Sequence, residues 1–94
     1  MDHPIYKVID LKKISDYKLE LTFDDGLIKI INFEPVLNGT LYSPLKEKSL
    51  FNKVLLDKEI HTIVWPNGAD FEPSILHDWE KYEEELISRS HSFA

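Results

Sequence analysis

The sequence VWPNGADFEP, residues 64–73, separates a region rich in strand-forming residues from a long amphipathic pattern. A proline does not continue a central strand because it has no N–H for the ladder, and Asn-Gly supplies the positive φ angles that a sharp reversal needs. We therefore predict a turn at residues 65–72, with a sheet-rich part before it at 5–65 and one helix after it at 73–88.

The composition is that of one globular domain, residues 1–94. Apolar residues make up 43% of the chain and charged residues 30%, and a chain of this length buries roughly 60 to 68% of its unfolded surface. The sequence has no cysteine. This excludes disulfides, thiol catalysis and cysteine-based metal sites.

Charge and hydropathy restrict the classes of partner. The N-terminal sequence MDHP is not a basic segment followed by an apolar one, and no apolar run approaches the ~20 residues that span a bilayer. We expect a cytoplasmic protein without membrane contact. Seventeen acidic and eleven basic side chains give a formal charge of −6, which repels phosphate backbones and predicts no direct nucleic-acid binding, but is compatible with a small basic protein partner.

Strand patterns dominate the first third of the chain. Residues 17–23 alternate strictly between apolar and polar side chains, which predicts a half-buried strand with Leu19, Leu21 and Phe23 on its inner face. Ile5–Leu11 has apolar residues on both faces, so we expect a central strand that is covered on two sides.

The Asp25-Gly26 pair predicts a two-residue hairpin loop, because both central positions of that loop need positive φ angles. This loop places Leu21 opposite Ile30, whereas a three-residue loop would place Lys29 there. A slip of one residue moves every side chain to the other face of the sheet. We therefore prefer the two-residue loop, which keeps a lysine off the apolar face.

Prolines and glycines mark the connecting helices. Residues 33–39 predict one helical turn that begins at Pro35 and stops at Gly39, and Ser43-Pro44 has the form of a helix start, for a short helix that ends near Asn52.

Two later segments, Val54–Asp57 and Ile60–Trp65, are typical of a second strand pair. Lys58-Glu59 between them is not hairpin chemistry, so the two strands need not be neighbours.

The C-terminal helix is expected to have Glu72 as its cap and Pro73 as its first residue. Its apolar residues recur at helical spacing and form one stripe. They are Ile75, Leu76, Trp79, Tyr82, Leu86 and Ile87. The sequence leaves open whether this stripe packs internally or is shared in a homodimer. Together the elements predict an α+β fold: a small antiparallel or mixed sheet of about four to five strands, short helices, and a longer C-terminal amphipathic helix.

Several motifs carry a family resemblance. D-Y-x-L-x-L-x-F-x-D-G begins at Asp16, V-x-L-D begins at Val54, and I-V-W-P-N-G-A-D-F-x-P-x-x-L begins at Ile63. Over about residues 6–76 the chain resembles a small bacterial family, domain of unknown function 2442, and W-P-N-G-A-D is the most specific of these motifs. The resemblance implies a compact α+β domain that occurs alone or ahead of a helix-turn-helix domain. Some members are encoded beside another small protein, which implies a regulatory or antitoxin-like role. It supplies no catalytic residues.

The turn supplies the first candidate site. Asn67 and Asp70 on either side of Gly68 can present an amide, a carboxylate and backbone N–H groups to a ligand, with Trp65 as a stacking surface. The structural alternative is favoured: Asn-Gly makes the turn, Asp70 bonds backbone amides near the helix start, and Trp65 packs in the core.

Histidines do not predict a metal site. His3, His61, His77 and His91 are scattered, and none forms the i, i+4 pair of a zinc-binding helix. His77 and Glu80 at i, i+3 can supply two ligands, but both are also ordinary surface residues. We predict no metal, no cofactor and no catalytic residue.

A run of glutamates supplies the second candidate site. Glu83, Glu84 and Glu85 lie toward the end of the predicted helix, where the helix dipole disfavours acids by about 0.3 to 1 kcal/mol each. A solvated face is one explanation. The sharper hypothesis is a docking face for a basic partner, with binding that weakens as salt rises.

The sequence thus favours a bacterial, cytoplasmic, non-enzymatic protein-interaction module with a regulatory or antitoxin-like role. The alternative is a small-ligand-binding or hydrolytic domain that uses the turn between Trp65 and Asp70. That alternative requires a real cleft with a strongly perturbed carboxylate.

Overall fold

A computed structural model describes residues 5–92, which form five strands and four α-helices. These elements are β1 (Val8–Ser15), β2 (Lys18–Phe23), β3 (Ile28–Asn32), α1 (Gly39–Tyr42), α2 (Lys48–Phe51), β4 (Leu55–Asp57), β5 (Thr62–Val64), α3 (Pro73–His77) and α4 (Trp79–Ser92). The α+β class is confirmed. The strands, however, form a three-stranded and a two-stranded antiparallel sheet and not one sheet. Within residues 5–92 no helix has the length and apolar character needed to cross a membrane.

The central strand of the larger sheet is β2, between β1 and β3. Leu19, Leu21 and Phe23 are completely buried, as the alternating pattern predicted. Strict alternation predicts the buried side chains of β2 correctly because one face of an antiparallel sheet packs on the core and the other meets water.

The prediction that Ile5–Leu11 is a central strand is wrong. β1 begins at Val8, lies at the edge of the sheet and has two irregularities in its register with β2. Ile9 and Ile14 are 55% and 47% exposed, so its apolar residues on two faces do not reflect cover on two sides. The Val8 N–H donates to the carbonyl of His61 at 2.9 Å and joins β1 to the smaller sheet.

The predicted two-residue hairpin loop is also wrong, because β2 and β3 pair in the register that places Lys29 opposite Leu21. The loop has three residues and ends on Gly26 at φ 92°, and Asp25 Oδ1 accepts the N–H of Leu27 at 3.0 Å. The Lys29 side chain is 13% exposed, and its ammonium lies 2.8 Å from Glu80 Oε2 and also bonds a carbonyl at the end of α3. The inner face accepts this lysine because a distant helix supplies its counter-charge.

The two helical turns that follow β3 differ in part from expectation. A short 3₁₀ turn occupies Glu34–Val36 with Pro35 near its start. Gly39, predicted as a stop, instead begins α1 with φ 82°. A second 3₁₀ turn, Ser43–Lys46, and α2 replace the single short helix that was expected to end near Asn52.

The predicted second strand pair is confirmed, and β4 and β5 are direct neighbours. Their connection is built by side-chain capping: Asp57 Oδ1 accepts the N–H groups of Glu59 and Ile60 at 2.8 and 3.3 Å. His61 takes a left-handed conformation, φ 59°. An Asx turn and one left-handed residue thus close a loop whose Lys-Glu sequence carries no hairpin signal.

The C-terminal helix predicted for 73–88 is two helices. Glu72 occupies the N-cap position of α3, although its side chain forms no capping hydrogen bond, and Pro73 opens the helix as predicted. Asp78, at φ −106° and ψ 38°, then interrupts the helix before α4, which continues to Ser92. Leu76 and Trp79 are buried, and the partly buried members of the stripe that pack on the core are Ile75, Leu86 and Ile87. The stripe is therefore largely internal.

Phe33, completely buried, is the meeting point of an aromatic cluster. Its ring centroid lies 5.2 Å from that of Trp79, 5.4 Å from Phe71, 6.0 Å from Trp65 and 6.1 Å from Phe51. These five rings come from the end of the larger sheet, α2, the turn after β5 and the start of α4. One side chain thus connects most of the layers of the domain.

Truncation of this ring should destabilise the whole domain. We expect Phe33→Ala to lower the free energy of unfolding by about 3 to 5 kcal/mol, because it removes a fully buried aromatic and leaves a cavity. Leu55→Ala is the matched control, since Leu55 is 64% exposed and its loss should cost less than about 0.5 kcal/mol. Urea unfolding followed by tryptophan fluorescence measures both, and equal costs would contradict the central role of Phe33.

Candidate functional site

The predicted turn after Val64 is a hairpin and not a simple corner between strand and helix. The N–H of Trp65 donates to the carbonyl of Ala69 at 2.9 Å, and the N–H of Gly68 donates back to Trp65 at 3.0 Å. Asp70 then forms an antiparallel bridge with Val64. The chain therefore reverses once more before it enters α3.

This hairpin uses the same device as the loop between β2 and β3. In both, three residues end on a left-handed glycine, Gly26 at φ 92° and Gly68 at φ 90°. In both, the side chain before the glycine accepts the N–H of the residue after it: Ala69 donates to Asn67 Oδ1 at 3.2 Å, as Leu27 does to Asp25. The D-D-G and P-N-G sequences are two forms of one turn.

Trp65 lies in the core. It is 3% exposed, and its indole N–H donates to the carbonyl of Phe51 at 2.9 Å. Its ring contacts Phe33, Phe51 and Phe71. In this conformation the ring presents no stacking surface to a ligand.

Asn67 joins the hairpin to α1. Besides accepting the N–H of Ala69, its Nδ2 donates to the carbonyl of Leu41 at 2.9 Å. Both ends of the amide are therefore engaged within the chain, and the side chain fixes the position of the turn against a neighbouring helix.

Asp70 is exposed, as are Asn67 and Gly68, but its side chain is bonded differently from that of Asn67. Its carbonyl accepts the hydroxyl of Tyr42 at 2.7 Å, but its carboxylate makes no hydrogen bond or ion pair with any side chain or backbone group of residues 5–92, and the expected bonds to amides at the helix start are not formed. Burial, and then the nearby Asp70 charge, raise the pKa of Tyr42. Of the four turn residues, Asp70 is the one whose side chain has no structural partner.

A histidine cluster at the α3–α4 junction brings together residues that sequence reasoning did not connect. His77 Nε2 lies 2.7 Å from Asp25 Oδ2 in the first hairpin, and Nδ1 lies 2.8 Å from Asp78 Oδ1. The imidazole stacks on Tyr6 with centroids 3.7 Å apart and meets the edge of Phe23 at 5.0 Å. Asp25 and His77 are 52 residues apart, so no local pattern reveals their contact.

Both imidazole nitrogens of His77 face carboxylates, an arrangement that suits the protonated ring. Burial lowers the pKa of His77, but its hydrogen bonds to Asp78 and Asp25, with their charges, outweigh burial and raise it. The Leu27 N–H, followed by the bond to His77, lowers the pKa of Asp25. An imidazolium whose two N–H groups both donate hydrogen bonds has no free lone pair. The cluster is therefore suited to connecting elements and not to proton abstraction or metal binding.

His77 and Glu80, which the sequence offered as two possible metal ligands, bind other side chains. Glu80 pairs with Lys29 at 2.8 Å, which lowers the Glu80 pKa. Within the described part of the chain, no group of three or more potential ligands could hold a metal ion.

An open groove of about 370 Å³ adjoins the histidine cluster. Tyr6, His61, Glu72 and Ser74 are among its lining residues, and no residue of the turn at 65–70 lines it. The polar groups that sequence reasoning selected therefore do not converge on this concavity.

The match to a family model shows to which family the chain belongs. The model described as protein of unknown function (DUF2442) matches residues 8–82. The chain belongs to the DUF2442 family. The matched region of this DUF2442 protein includes both hairpins and the contacts of His77 with Asp25 and Asp78, and it ends before Glu83. No curated protein and no solved structure is significantly similar to the chain.

Two substitutions separate structural from binding roles at the turn of this DUF2442 protein. Asn67→Ala should lower the free energy of unfolding by about 1 to 2 kcal/mol because two hydrogen bonds are lost. Asp70→Asn should change it by less than about 0.5 kcal/mol because no bond to the carboxylate is lost. Urea unfolding tests both. Equal stability of the two variants would contradict the role assigned to the Asn67 amide.

The histidine cluster should make stability depend on pH. The pKa of His77 is raised in the folded state, so its contribution is complete below the unfolded value of about 6.5 and is lost as pH rises through the folded value. The pKa of Asp25 is lowered, so its contribution is lost only as pH falls below about 4. We expect His77→Gln to cost about 1 to 3 kcal/mol at pH 5.5 and progressively less toward pH 9.

Urea unfolding between pH 5 and 9 measures this difference. His61→Asn is the control, because asparagine also tolerates a left-handed conformation and His61 lies outside the cluster. A cost of His77→Gln that stays constant over this range would contradict the charged state assigned to the ring.

Proposed function

We propose that this DUF2442 protein is a non-enzymatic protein-interaction module with a regulatory or antitoxin-like role. It binds a small basic protein through an acidic face on α4, formed by Glu80, Glu83 and Glu84. These residues are spaced i, i+3 and i+4, so they lie on one side of the helix.

The acidic face concentrates charge on one element. Residues 79–88 contain four glutamates and one lysine, a net charge of −3, within a chain whose formal charge is −6. Glu84 is exposed, and the Glu80 side chain is 75% exposed. A field of one sign at the surface attracts and orients a partner of the opposite sign.

The observation that carries the proposal is that these acids do not serve the helix itself. Because α4 extends to Ser92, Glu83 and Glu84 lie in its middle, where the dipole has little effect, and not at its end as the sequence indicated. Glu80 repels Glu83, at i+3, and Glu84, at i+4, and each pair lowers the stability of the helix by about 0.2 to 0.5 kcal/mol. Glu80 pairs with Lys29, but Glu83 and Glu84 form no ion pair with any residue of the described chain.

The alternative function, a small-ligand or hydrolytic site at the turn, has weaker support. Its stacking surface, Trp65, is 3% exposed, and both ends of the Asn67 amide are engaged. Asp70 is then left as a single exposed carboxylate, which is insufficient for acid–base catalysis.

The regulatory or antitoxin-like part of the proposal is supported by charge, since the matched family model is described only as a protein of unknown function. A partner that is basic and small would be neutralised by a face of this kind, and such neutralisation is a simple means of control. The helix face lies mostly beyond the matched family region, which ends at residue 82, so we assign partner choice to this chain and not to the family.

The test begins with capture from the native host. Wild-type protein is used as bait, the captured protein is identified by mass spectrometry, and its affinity is measured by calorimetry with purified components. We expect Glu83→Gln/Glu84→Gln to weaken binding at least tenfold, and wild-type binding to weaken at least tenfold between 50 and 300 mM salt, because the contact is electrostatic.

The matched control is Glu47→Gln/Glu59→Gln, which removes the same net charge from two exposed positions outside α4. It should leave the affinity within about twofold of the wild type. Salt-independent binding, or equal losses in the two double variants, would show that the acidic face is not the docking surface.

A further inference from the structure

The edge strand β3 presents unpaired backbone groups. The N–H of Phe23 donates to Leu27 and the N–H of Phe33 donates to Tyr17, both at 2.8 Å, so every second residue between Leu27 and Phe33 bonds β2. The alternate residues, Ile28, Ile30 and Asn32, therefore direct their N–H and C=O groups away from β2. Within residues 5–92 these groups have no backbone partner on the open side.

The two edges of this sheet differ in protection. β1 is irregular at two places and is joined to the smaller sheet through Val8, and irregular edges resist further pairing. β3 pairs regularly with β2 over all its residues. Its lysine, Lys29, faces inward and is neutralised by Glu80. It therefore does not hinder the pairing of another strand with this edge, as an outward-facing lysine would.

The outer face of β3 is uncharged and carries two isoleucines and one asparagine. Ile28 and Ile30 are 60% and 58% exposed, and Asn32 is the third residue on this face. Exposed β-branched side chains beside open backbone groups form a template for another strand.

We propose that β3 pairs antiparallel with β3 of a second copy of this chain, about a two-fold axis at Ile30, to form one six-stranded sheet. In this register Ile30 lies opposite the same residue of the second copy, and Ile28 lies opposite Asn32. The open groups of the three residues then form six backbone hydrogen bonds across the axis.

A second copy fits this edge because the register is self-complementary. The axis brings isoleucine to isoleucine and places no like charges across the outer seam, despite the net charge of −6 on each chain. On the inner face Lys29 lies opposite Ile31 of the second copy, so the two lysines are not directly opposed. Isologous pairing of this kind closes after two chains.

The paired surface is small compared with that of a permanent dimer. One strand pair with four isoleucine side chains falls below the usual interface of about 1,200 to 2,000 Å². We therefore expect a reversible dimer with a Kd between about 10 µM and 1 mM. This inference is independent of the acidic face on α4.

Sedimentation equilibrium of the full chain from 5 µM to 2 mM tests the pairing. We expect the wild type to dimerise, and Ile30→Lys to weaken the dimer at least tenfold, since it places two like charges in direct opposition. Ile9→Lys is the matched control: Ile9 is 55% exposed on the opposite edge strand, and its substitution should leave the Kd within about twofold.

Amide hydrogen exchange of the wild-type protein supplies a test without substitutions. The N–H groups of Ile28, Ile30 and Asn32 should become protected as concentration rises from 50 µM to 2 mM. Those of Lys29 and Ile31 bond β2 and should be protected throughout.

A wild-type chain that stays monomeric at 2 mM, with these three amides unprotected, would overturn the proposal and leave a strand of a different protein as the occupant of the edge. A dimer that Ile30→Lys and Ile9→Lys weaken equally, or one without concentration-dependent protection at β3, would overturn it as well.

Discussion

The packing around Phe33 is the contact on which the rest of the structure depends. Its ring touches aromatic side chains from α2, from the second hairpin and from α4. A chain of this size has a small hydrophobic core, and aromatic rings supply large buried areas from few residues. The second hairpin is therefore held by the burial of Trp65 and Phe71, and its polar groups then fix the direction in which the chain leaves.

Two hairpins of the same design use their side chains in different ways. In both, the residue before the glycine closes the loop by accepting an amide hydrogen. Asp25 has a second carboxylate oxygen, which reaches His77, whereas Asn67 has an amide nitrogen, which reaches the carbonyl of Leu41. An acidic residue joins its loop to an imidazolium and an amide joins its loop to a helix backbone, so one turn type supplies two different tertiary contacts.

The polar groups of the domain divide into those that hold it together and those that do not. His77, Asp25 and Asp78 bond one another, and Lys29 bonds Glu80 and the end of α3. Glu83 and Glu84 on α4, and the outer edge of β3, contribute little to the domain itself. Surfaces that cost stability, or that leave backbone groups open, are the natural places to look for partners.

The sequence by itself determined the elements with strong local signals. The alternation of β2, the Glu72-Pro73 helix start and the Asn67-Gly68 turn follow from short-range sterics and burial, and all three are present. Local sequence did not determine the register of β3, because the acceptability of Lys29 on the inner face depends on Glu80, 51 residues away. It also did not reveal the edge position of β1 or the helix break at Asp78. Tertiary structure decided these features, since contacts between distant residues outweigh local preferences when they satisfy a buried charge or complete the core.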